Sequence, residues 1–277
     1  MPRVSVVIPT FDNGSYVGQT MRSVLAQSFT DFELVVADHR SADDTWDLLQ
    51  PFTDDPRVRL LRTPAGGGAE RNWNRVTAEA TGELVKLVCG DDLLAPDALA
   101  RQVAAFDEHD AGVVLVASSR DIVDASGRTA VHDLGLGGLR GRVPGRRAIR
   151  RSVRRGANIF GEPMCVLFRR TSLEAAGRWH GAPGYLIDQA TYCRVLLQGD
   201  LVAVPGPLAA FRVSAGQWSV SLAQEQARSA AEMHRQLRAA DPTLLSATDV
   251  RLGNAMASVR ALQRRAFYAY LGRRMRP

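Results

Sequence analysis

The amino-acid sequence predicts an α/β fold: a mostly parallel, Rossmann-like central sheet with helices on both faces, followed by a C-terminal helical extension. Short runs rich in β-branched residues recur in the N-terminal part of the chain, at 4–8, 32–37, 58–61 and 84–88. Apolar residues at helical spacing lie between these runs, at 17–25, 43–52 and 70–80. Strands and helices that alternate at this length form a parallel sheet that is covered on both faces.

The segments that directly follow these strands are the first candidates for a functional site. In an open parallel sheet, ligands bind beyond the carboxyl ends of the strands. The segments at those positions are 10–13, 38–44, 66–71 and 90–92.

Beyond Pro96 the pattern is less regular. A helix to Glu108, a strand at 113–117 and a turn at 124–127 precede a segment at 135–156 that is rich in glycine and arginine. This composition predicts a mobile loop. The elements expected after it are a strand at 164–169, a helix at 188–198, short strands near Val202 and Leu208, and helices from Leu222 onward.

Composition indicates a folded globular protein. The 277-residue chain is 45% hydrophobic and 23% charged. No run approaches the roughly 18 apolar residues that span a bilayer, and the chain begins in a strand-like run without a leader, so a cytoplasmic location is expected. The three cysteines lack the spacing of a zinc site or a disulfide framework and are expected to be core thiols.

The net charge of +6 is unevenly distributed. Eight arginines and no acids lie within 140–155, and seven more arginines follow Asp249. These clusters are either solvated helix faces or surfaces for a polyanion. A nucleic-acid-binding module is therefore an alternative function, but 135–156 has no aromatic residue to stack on bases, so nucleic acid is not an expected partner.

The second arginine cluster belongs to a predicted helix at 259–276. Leu262, Ala266 and Tyr270 give this helix an apolar face, and arginines at 273, 274 and 276 give it a basic end. That combination is typical of a helix that lies on an anionic membrane. Peripheral contact with the inner membrane face is one hypothesis, and an intramolecular cover on the catalytic domain is the alternative.

Two adjacent carboxylates, Asp91 and Asp92, follow the strand at 84–88. Mg²⁺ and Mn²⁺ prefer one or two carboxylates together with phosphate oxygens and water, and a strand end is where a phosphate would arrive. The pair could equally form a turn and cap the helix that follows Pro96. The residues around the pair are needed to choose between these roles.

An ordered series of motifs surrounds this pair. In chain order they are VSVVIPTFDN (4–13), SVLAQSF (23–29), ELVVADHRSADDT (33–45), GAERN (68–72), GE (82–83) and GDD (90–92). The series resembles the family 2 glycosyltransferases with the GT-A fold, closely over about the first 110 residues and more loosely beyond. The resemblance implies a GT-A catalytic domain at 1–215, with a nucleotide-sugar-binding half at 1–110 and an acceptor-binding half at 111–215, and a helical extension at 216–277.

The activity that the resemblance implies is inverting transfer of a sugar from a nucleotide-diphosphate donor to an acceptor hydroxyl, assisted by Mn²⁺ or Mg²⁺. The acceptor is not identified, and a saccharide, a lipid-linked molecule or a small natural product all fit. A nucleotidyltransferase is the nearest alternative enzyme. It would need an N-terminal glycine-rich phosphate loop with a lysine, which residues 9–13 do not provide.

The resemblance also implies donor-site residues. Asp92 matches the metal ligand, and the expected nucleotide-sugar contacts are Pro9, Thr10, Phe11, Asp38, His39, Arg71 and Asp91. His39 stands where the family usually has a second aspartate, which often contacts uracil. A neutral imidazole accepts a hydrogen bond only through its unprotonated nitrogen, so the donor is expected to carry UDP, dTDP or GDP, with no single base preferred strongly.

On the acceptor side, Asp188 matches the catalytic base of the family, and Ile187 stands where a glutamate usually precedes it. An apolar neighbour would desolvate the carboxylate and raise its pKa, which suits a base. Glu162 is the second candidate for the base or an acceptor contact, and Trp179 and His180 are candidates for the acceptor pocket. Ser214 occupies the place of a family histidine that binds the metal, so Asp92 is expected to be the only side-chain ligand.

Overall fold

The computed structural model describes residues 1–181, 186–215 and 225–275, apart from the side chain of Arg273. The residues outside the described ranges are 182–185, 216–224, 276 and 277. They include the expected start of the helical extension and Arg276.

The first four strands form the parallel half of the sheet, as the sequence predicts. They are β1 (Val4–Thr10), β2 (Phe32–Asp38), β3 (Val58–Arg62) and β4 (Leu84–Leu87), in the order β3-β2-β1-β4. Every neighbouring pair among them is parallel. All seven residues of β1 are buried, which explains why this central strand is a continuous β-branched run rather than an alternating one.

The second half of the sheet is mixed. Its strands are β5 (Leu93–Leu94), β6 (Val113–Val123), β7 (Thr129–Leu134), β8 (Gly141–Val143), β9 (Val166–Arg169) and β10 (Asp200–Arg212). The order continues from β4 as β9-β6-β10-β5, while β7 pairs with β6 and β8 pairs with β10. Strand β9 is antiparallel to both β4 and β6, whereas β10 is parallel to β6. The two short strands expected near Val202 and Leu208 are one strand, β10, whose register shifts between Val204 and Pro207.

Helices flank this sheet. They are α1 (Val17–Leu25), α2 (Thr45–Leu49), α3 (Gly68–Ala78), α4 (Ala98–Asp107), α5 (Gly145–Arg155), α6 (Arg170–Ala175), α7 (Ile187–Leu196), α8 (Gln226–Ala240) and α9 (Ala247–Leu271). Helix α3 packs against β1, β2 and β4, and α4 packs against β6 and β10. Helix α2 is shorter than expected because the chain continues as a 3₁₀ turn at Gln50–Asp54, with a proline at its start.

The prediction of a mobile loop at 135–156 was wrong, because most of this segment is ordered into β8 and α5. The side chains of Ala148, Ile149 and Val153 are fully buried on one face of α5. Arginines occupy the other face, so the high arginine content marks an amphipathic helix rather than a loop.

Arginines of α5 form ion pairs with two acids of the C-terminal helices, one just after α8 and one in the first turn of α9. Arg146 lies 2.6 Å from a carboxylate oxygen of Asp241, and Arg150 lies 2.9 Å from one of Asp249. Asp249 also completes a capping box with Ser246 at the start of α9. Three of the eight arginines in this cluster, Arg146, Arg150 and Arg154, therefore anchor the C-terminal helices to the rest of the chain.

The long helix α9 lies close to the end of α5. A Cβ atom on Gly156 would lie 2.2 Å from the backbone nitrogen of Ala257, so only glycine allows this approach. On the outer side of α9, Leu262 is 66% and Tyr270 is 77% exposed. Contact of this face with an anionic membrane stays a prediction. Among the described residues, no helix combines the length and apolar character that spanning a membrane requires.

We predict that Gly156→Ala destabilises the protein strongly. The residue has a φ of 57°, which strains an alanine by about 1 kcal/mol, and the clash with α9 adds about 1 to 3 kcal/mol. Gly141→Ala is the matched control, because its φ is 58° but no atom lies near its would-be Cβ. Chemical denaturation should show a loss of unfolding free energy at least twice as large for Gly156→Ala. Equal losses would mean that the close approach of α5 and α9 does not stabilise the fold.

Candidate active site

A cavity of about 1440 Å³ opens at the carboxyl ends of the parallel strands. Its walls come from the loops after β1, β2 and β4, from the start of α7, and from α8 and α9. The structure brings together most of the predicted site residues here, namely Pro9, Thr10, Phe11, His39, Asp91, Asp92, Glu162 and Asp188. Predicted site residues from both halves of the sequence therefore line the same cavity.

The loops after β1 and β2 form one wall. The backbone nitrogen of His39 donates to the carbonyl of Thr10 at 2.9 Å, which holds the two strand ends together. The Phe11 and His39 rings meet edge to face, with centroids 6.1 Å apart, and Phe11 is 54% exposed. This pair offers an apolar ring surface and an imidazole to a ligand.

His39 is buried, and burial together with the nearby Arg75 guanidinium lowers its pKa. The imidazole is therefore neutral at pH 7. Its Nδ1 lies 3.2 Å from the hydroxyl oxygen of Thr63. A neutral ring of this kind can donate from one nitrogen and accept at the other, which a carboxylate cannot do.

Two predicted nucleotide contacts, Asp38 and Arg71, do not line the cavity. Asp38 is fully buried, and its carboxylate accepts hydrogen bonds from the backbone nitrogen and the hydroxyl of Ser41. It supports the loop that carries His39. Arg71 is exposed and its side chain lies over Gly67 at the start of α3, close enough to lower the pKa of His39.

Asp91 and Asp92 are held by Arg212, the last residue of β10. The Arg212 backbone nitrogen donates to Asp92 Oδ1 at 3.1 Å, and its Nε donates to the Asp91 carbonyl at 3.0 Å. The guanidinium also donates to Ala125 and to Gln19. The antiparallel pairing of β5 with β10 brings these residues together, because β5 follows Asp92 directly.

The Asp92 carboxylate is 1% exposed, and its Oδ2 has no hydrogen-bond partner among the described residues. Burial and the neighbouring Asp91 carboxylate raise the pKa of Asp92 well above its usual range. A cation at this oxygen would relieve both effects, so the residues fit a divalent ion. Within the described ranges, no cluster of three or more His, Cys, Asp or Glu side chains could hold a metal ion. The remaining ligands would therefore come from phosphate and water, as Mg²⁺ commonly accepts.

Asp188 is the second residue of α7 and lines the same cavity as Asp91 and Asp92. Its Oδ2 accepts from the Asn158 amide at 2.8 Å, and its Oδ1 accepts from the backbone nitrogen of Gln189 at 2.7 Å. Burial raises the pKa of Asp188 to about 6, and the nearby Glu162 carboxylate acts in the same direction. A carboxylate with this pKa is ionised at pH 7 and more basic than usual, which suits proton removal.

Glu162 differs from Asp188 in its charge partner. Its two carboxylate oxygens lie 2.5 Å from Arg120 Nε and 2.8 Å from Arg120 Nη2. Arg120 is buried in β6; its Nη2 donates a hydrogen bond to Glu162, and the Nε contact is an ion pair without hydrogen-bond geometry. A carboxylate that already neutralises a guanidinium is a weaker proton acceptor, so the geometry favours Asp188 as the base.

The structure corrects the prediction for Trp179, which is 1% exposed and does not line the cavity. Its Nε1 donates to Thr77 at 2.8 Å, and its ring packs edge to face on Trp73 and Phe168. It is a packing residue between α3 and β9. His180 does not line the cavity either, and its backbone nitrogen donates to the hydroxyl of Thr191.

Several residues that shape the site carry no motif that identified them from the sequence. Arg212 and Asn158 belong to none of the sequence motifs described above. Arg120 had a usable signal, because an arginine inside an apolar strand needs a charged partner. Arg260 and Arg264, on the cavity side of α9, had no signal beyond the arginine cluster.

The chain is similar to known proteins in sequence. The model of Glycosyl transferase family 2 matches residues 5–177. The uncharacterized protein MT1568 of Mycobacterium tuberculosis is 33% identical over 219 residues, which cover 77% of this chain and 68% of that protein. The poly(ribitol-phosphate) β-N-acetylglucosaminyltransferase TarS of Staphylococcus aureus is 33% identical over 121 residues, which cover 42% of this chain and 21% of TarS.

Solved structures share the fold. TarS residues 1–349, in complex with UDP-GlcNAc, superpose with a TM-score of 0.70 at 19% identity, covering 86% of this chain and 66% of that one. The mannosyltransferase PcManGT from Pyrobaculum calidifontis, in complex with GDP-Man and Mn²⁺, gives a TM-score of 0.66 at 19% identity, covering 98% and 76%. These neighbours confirm the predicted fold class. Together with the family match over more than half of its length, they lead to one conclusion: the chain belongs to glycosyl transferase family 2 and is a glycosyltransferase.

Proposed function

We propose that the protein is an inverting, metal-assisted glycosyltransferase in which Asp188 is the catalytic base and Asp92 is the main metal ligand. The single observation that carries this proposal is that a buried, basic carboxylate and a pair of adjacent carboxylates line one cavity from different elements. One group suits an acceptor hydroxyl, and the other suits the donor's diphosphate.

Asp92 would bind a divalent ion together with the donor's phosphate oxygens, and Asp91 would contact the nucleotide sugar. When bound, such an ion offsets the negative charge that develops on the departing diphosphate. The role of Arg212 is positional, since it fixes the Asp91 backbone and one oxygen of Asp92 and leaves the other oxygen without a hydrogen bond among the described residues. Arg71 lies near the cavity rim, and we keep its predicted role beside the diphosphate as part of this proposal.

Asp188 would take the proton of the acceptor hydroxyl as the oxygen attacks the anomeric carbon. The Asn158 amide and the Gln189 backbone nitrogen orient its carboxylate, and hydrogen bonds of this kind reduce the motion of a base. A single displacement by an oxygen opposite the diphosphate inverts the anomeric configuration. Glu162 would instead keep Arg120 neutralised and shape the acceptor side.

The donor's base is left open among uracil, thymine and guanine. The structures of similar fold were solved with UDP-GlcNAc and with GDP-Man, so the fold itself accepts both kinds of donor. The neutral His39 beside Phe11 is the residue that would discriminate between bases. We propose a cytoplasmic site of action.

The first test concerns the base. Asp188→Asn keeps the shape of the side chain but removes its basicity and leaves one acceptor oxygen in place of two for Asn158 and Gln189, so we expect about a 10²-fold or greater loss of turnover with unchanged donor binding. Turnover is measured as nucleoside diphosphate release, with water or an acceptor. In the wild type, the rate should rise with pH through about 6, because Asp188 must be ionised. Glu162→Gln is the matched control. Normal turnover in Asp188→Asn and a dead Glu162→Gln would reassign the base to Glu162.

A stability measurement tests the same carboxylate independently. Because the folded-state pKa of Asp188 is about 6 against 3.8 for the free group, the wild type loses unfolding free energy as pH rises through this interval. Asp188→Asn has no such loss, so relative to the wild type it should gain about 2 to 3 kcal/mol between pH 4 and pH 8. Asp54→Asn, at an exposed position, is the control. If the difference in unfolding free energy between Asp188→Asn and the wild type did not change with pH, burial of the Asp188 carboxylate would not destabilise the fold.

The third test concerns the metal. UDP, dTDP and GDP are added at about 100 times their dissociation constants with Mn²⁺, and the best of them should stabilise the wild type by about 2 to 3 kcal/mol. Asp92→Asn should lose most of this gain, and EDTA should abolish it in the wild type. Asp97→Asn, an exposed acid outside the cavity, should behave as the wild type. Full stabilisation of Asp92→Asn in EDTA would contradict the metal role.

A further inference from the structure

Helix α9 places two arginines on the wall of the cavity. Arg260 and Arg264 are one turn apart on the same face, and both line the cavity. They lie beyond residue 177, where the match to the family model ends. Their position is therefore a property of this chain's C-terminal helices rather than of the matched segment.

These arginines lie on the Asp188 side of the cavity. One turn before Arg260, Ala257 packs against Gly156, and Gly156 is two residues before Asn158, which donates to Asp188. The charge of Arg264 is close enough to lower the pKa of Asp188. Asp91 and Asp92, in contrast, are held by Arg212 at the end of β10.

The contacts of these guanidinium groups differ from those of the arginines on α5. Arg260 Nη1 donates to the neutral Gln263 amide at 2.8 Å, and its buried Nε has no partner among the described residues. Arg264 Nη1 donates to Gln226 at 2.7 Å. In the described part of the chain, Arg260 forms no ion pair with an acid, whereas Arg146 and Arg150 of α5 do.

Among the described residues, the acids of the cavity form no ion pair with Arg260. Glu162 is already paired with Arg120, and the carboxylate oxygens of Asp188 accept from Asn158 and Gln189. A partly buried guanidinium without an anionic partner costs free energy, and binding an anion would recover it. A third arginine, Arg155, lines the same cavity and donates to the Gly137 carbonyl.

We propose that the acceptor carries a phosphate or carboxylate group, which Arg260 and Arg264 bind while its hydroxyl faces Asp188. Guanidinium groups suit both anions, because their paired N–H donors match two oxygens at once. Arg155 adds positive charge at the same wall. This inference rests on the proposed function, since it takes Asp188 as the residue that marks the acceptor side.

The test fills the donor side first. The protein is saturated with Mg²⁺ and with whichever nucleoside diphosphate stabilises it most, and glucose, glucose 6-phosphate and glucuronate are then titrated by calorimetry. We expect one of the two anionic sugars to bind about tenfold or more tightly than glucose, because hydrogen bonds to a charged group are the stronger ones. The better of the two anionic sugars tells whether the group is a phosphate or a carboxylate.

Variants assign the effect to the two arginines. The double variant Arg260→Gln, Arg264→Gln should lose the preference for the anionic sugar while its binding of the nucleoside diphosphate stays within about twofold of the wild type. Arg265→Gln is the matched control, because Arg265 is on the same helix but exposed and outside the cavity lining. Equal binding of all three sugars would overturn the proposal. Weakened nucleoside diphosphate binding in the double variant would also overturn it, because the arginines would then serve the donor.

Failure of this inference is distinguishable from failure of the proposed function. If Asp188→Asn turned over normally, the base would be reassigned, yet the anion preference and its loss in the double variant would still be measured. If no nucleoside diphosphate bound, the proposed function would fail, and the same sugar titrations without nucleotide would still test the two arginines. If the three sugars bound equally and Asp188→Asn were inactive, the proposed function would stand. Only the inference that the acceptor is anionic would then be rejected.

Discussion

The site depends on one buried cation, Arg212. It is fully buried, its guanidinium lies over the Tyr16 ring at 4.6 Å, and it donates to groups in α1, in the loop after β6 and in the Asp91–Asp92 turn. A buried charge needs hydrogen-bond partners, and each of the three guanidinium nitrogens of Arg212 donates a hydrogen bond. It therefore joins a helix, a loop and a turn at the site. Its charge also lowers the pKa of Asp92, which offsets part of the effect of the neighbouring Asp91 carboxylate.

The two ends of the cavity use burial for different purposes. At Asp92, burial leaves one carboxylate oxygen without a hydrogen bond among the described residues, which favours a cation. At Asp188, burial raises the pKa to about 6 while hydrogen bonds from Asn158 and Gln189 keep the group oriented. The charge of Glu162 is neutralised by its ion pair with Arg120. Asp92, Asp188 and Glu162 line the same cavity, and the residues around each carboxylate give it a different chemical role.

Local patterns were enough to predict the parallel half of the sheet and the loops that meet at its edge, because β1, β2 and β4 are buried runs followed by polar residues. Local patterns were not enough for α5, because its glycines and arginines suggested a loop. In the structure, Ala148, Ile149 and Val153 form one buried face of a helix. Trp179 shows the same limit, since its burial depends on α3 and β9, which are distant in sequence. Contacts such as Arg120 with Glu162 depend on strand order, which no local pattern encodes.

The close approach of Gly156 to Ala257 has a consequence for how such an enzyme can change. The loops that follow β1, β2 and β4 form one wall of the cavity, and a helix from the far end of the chain forms much of the opposite wall. This helix, α9, is attached to α5 through packing at Gly156 and through ion pairs such as Arg150 with Asp249. Substitutions along α9 can therefore reshape what the cavity accepts while the strand-end loops keep their geometry, so that the two specificities of a transferase can diverge separately.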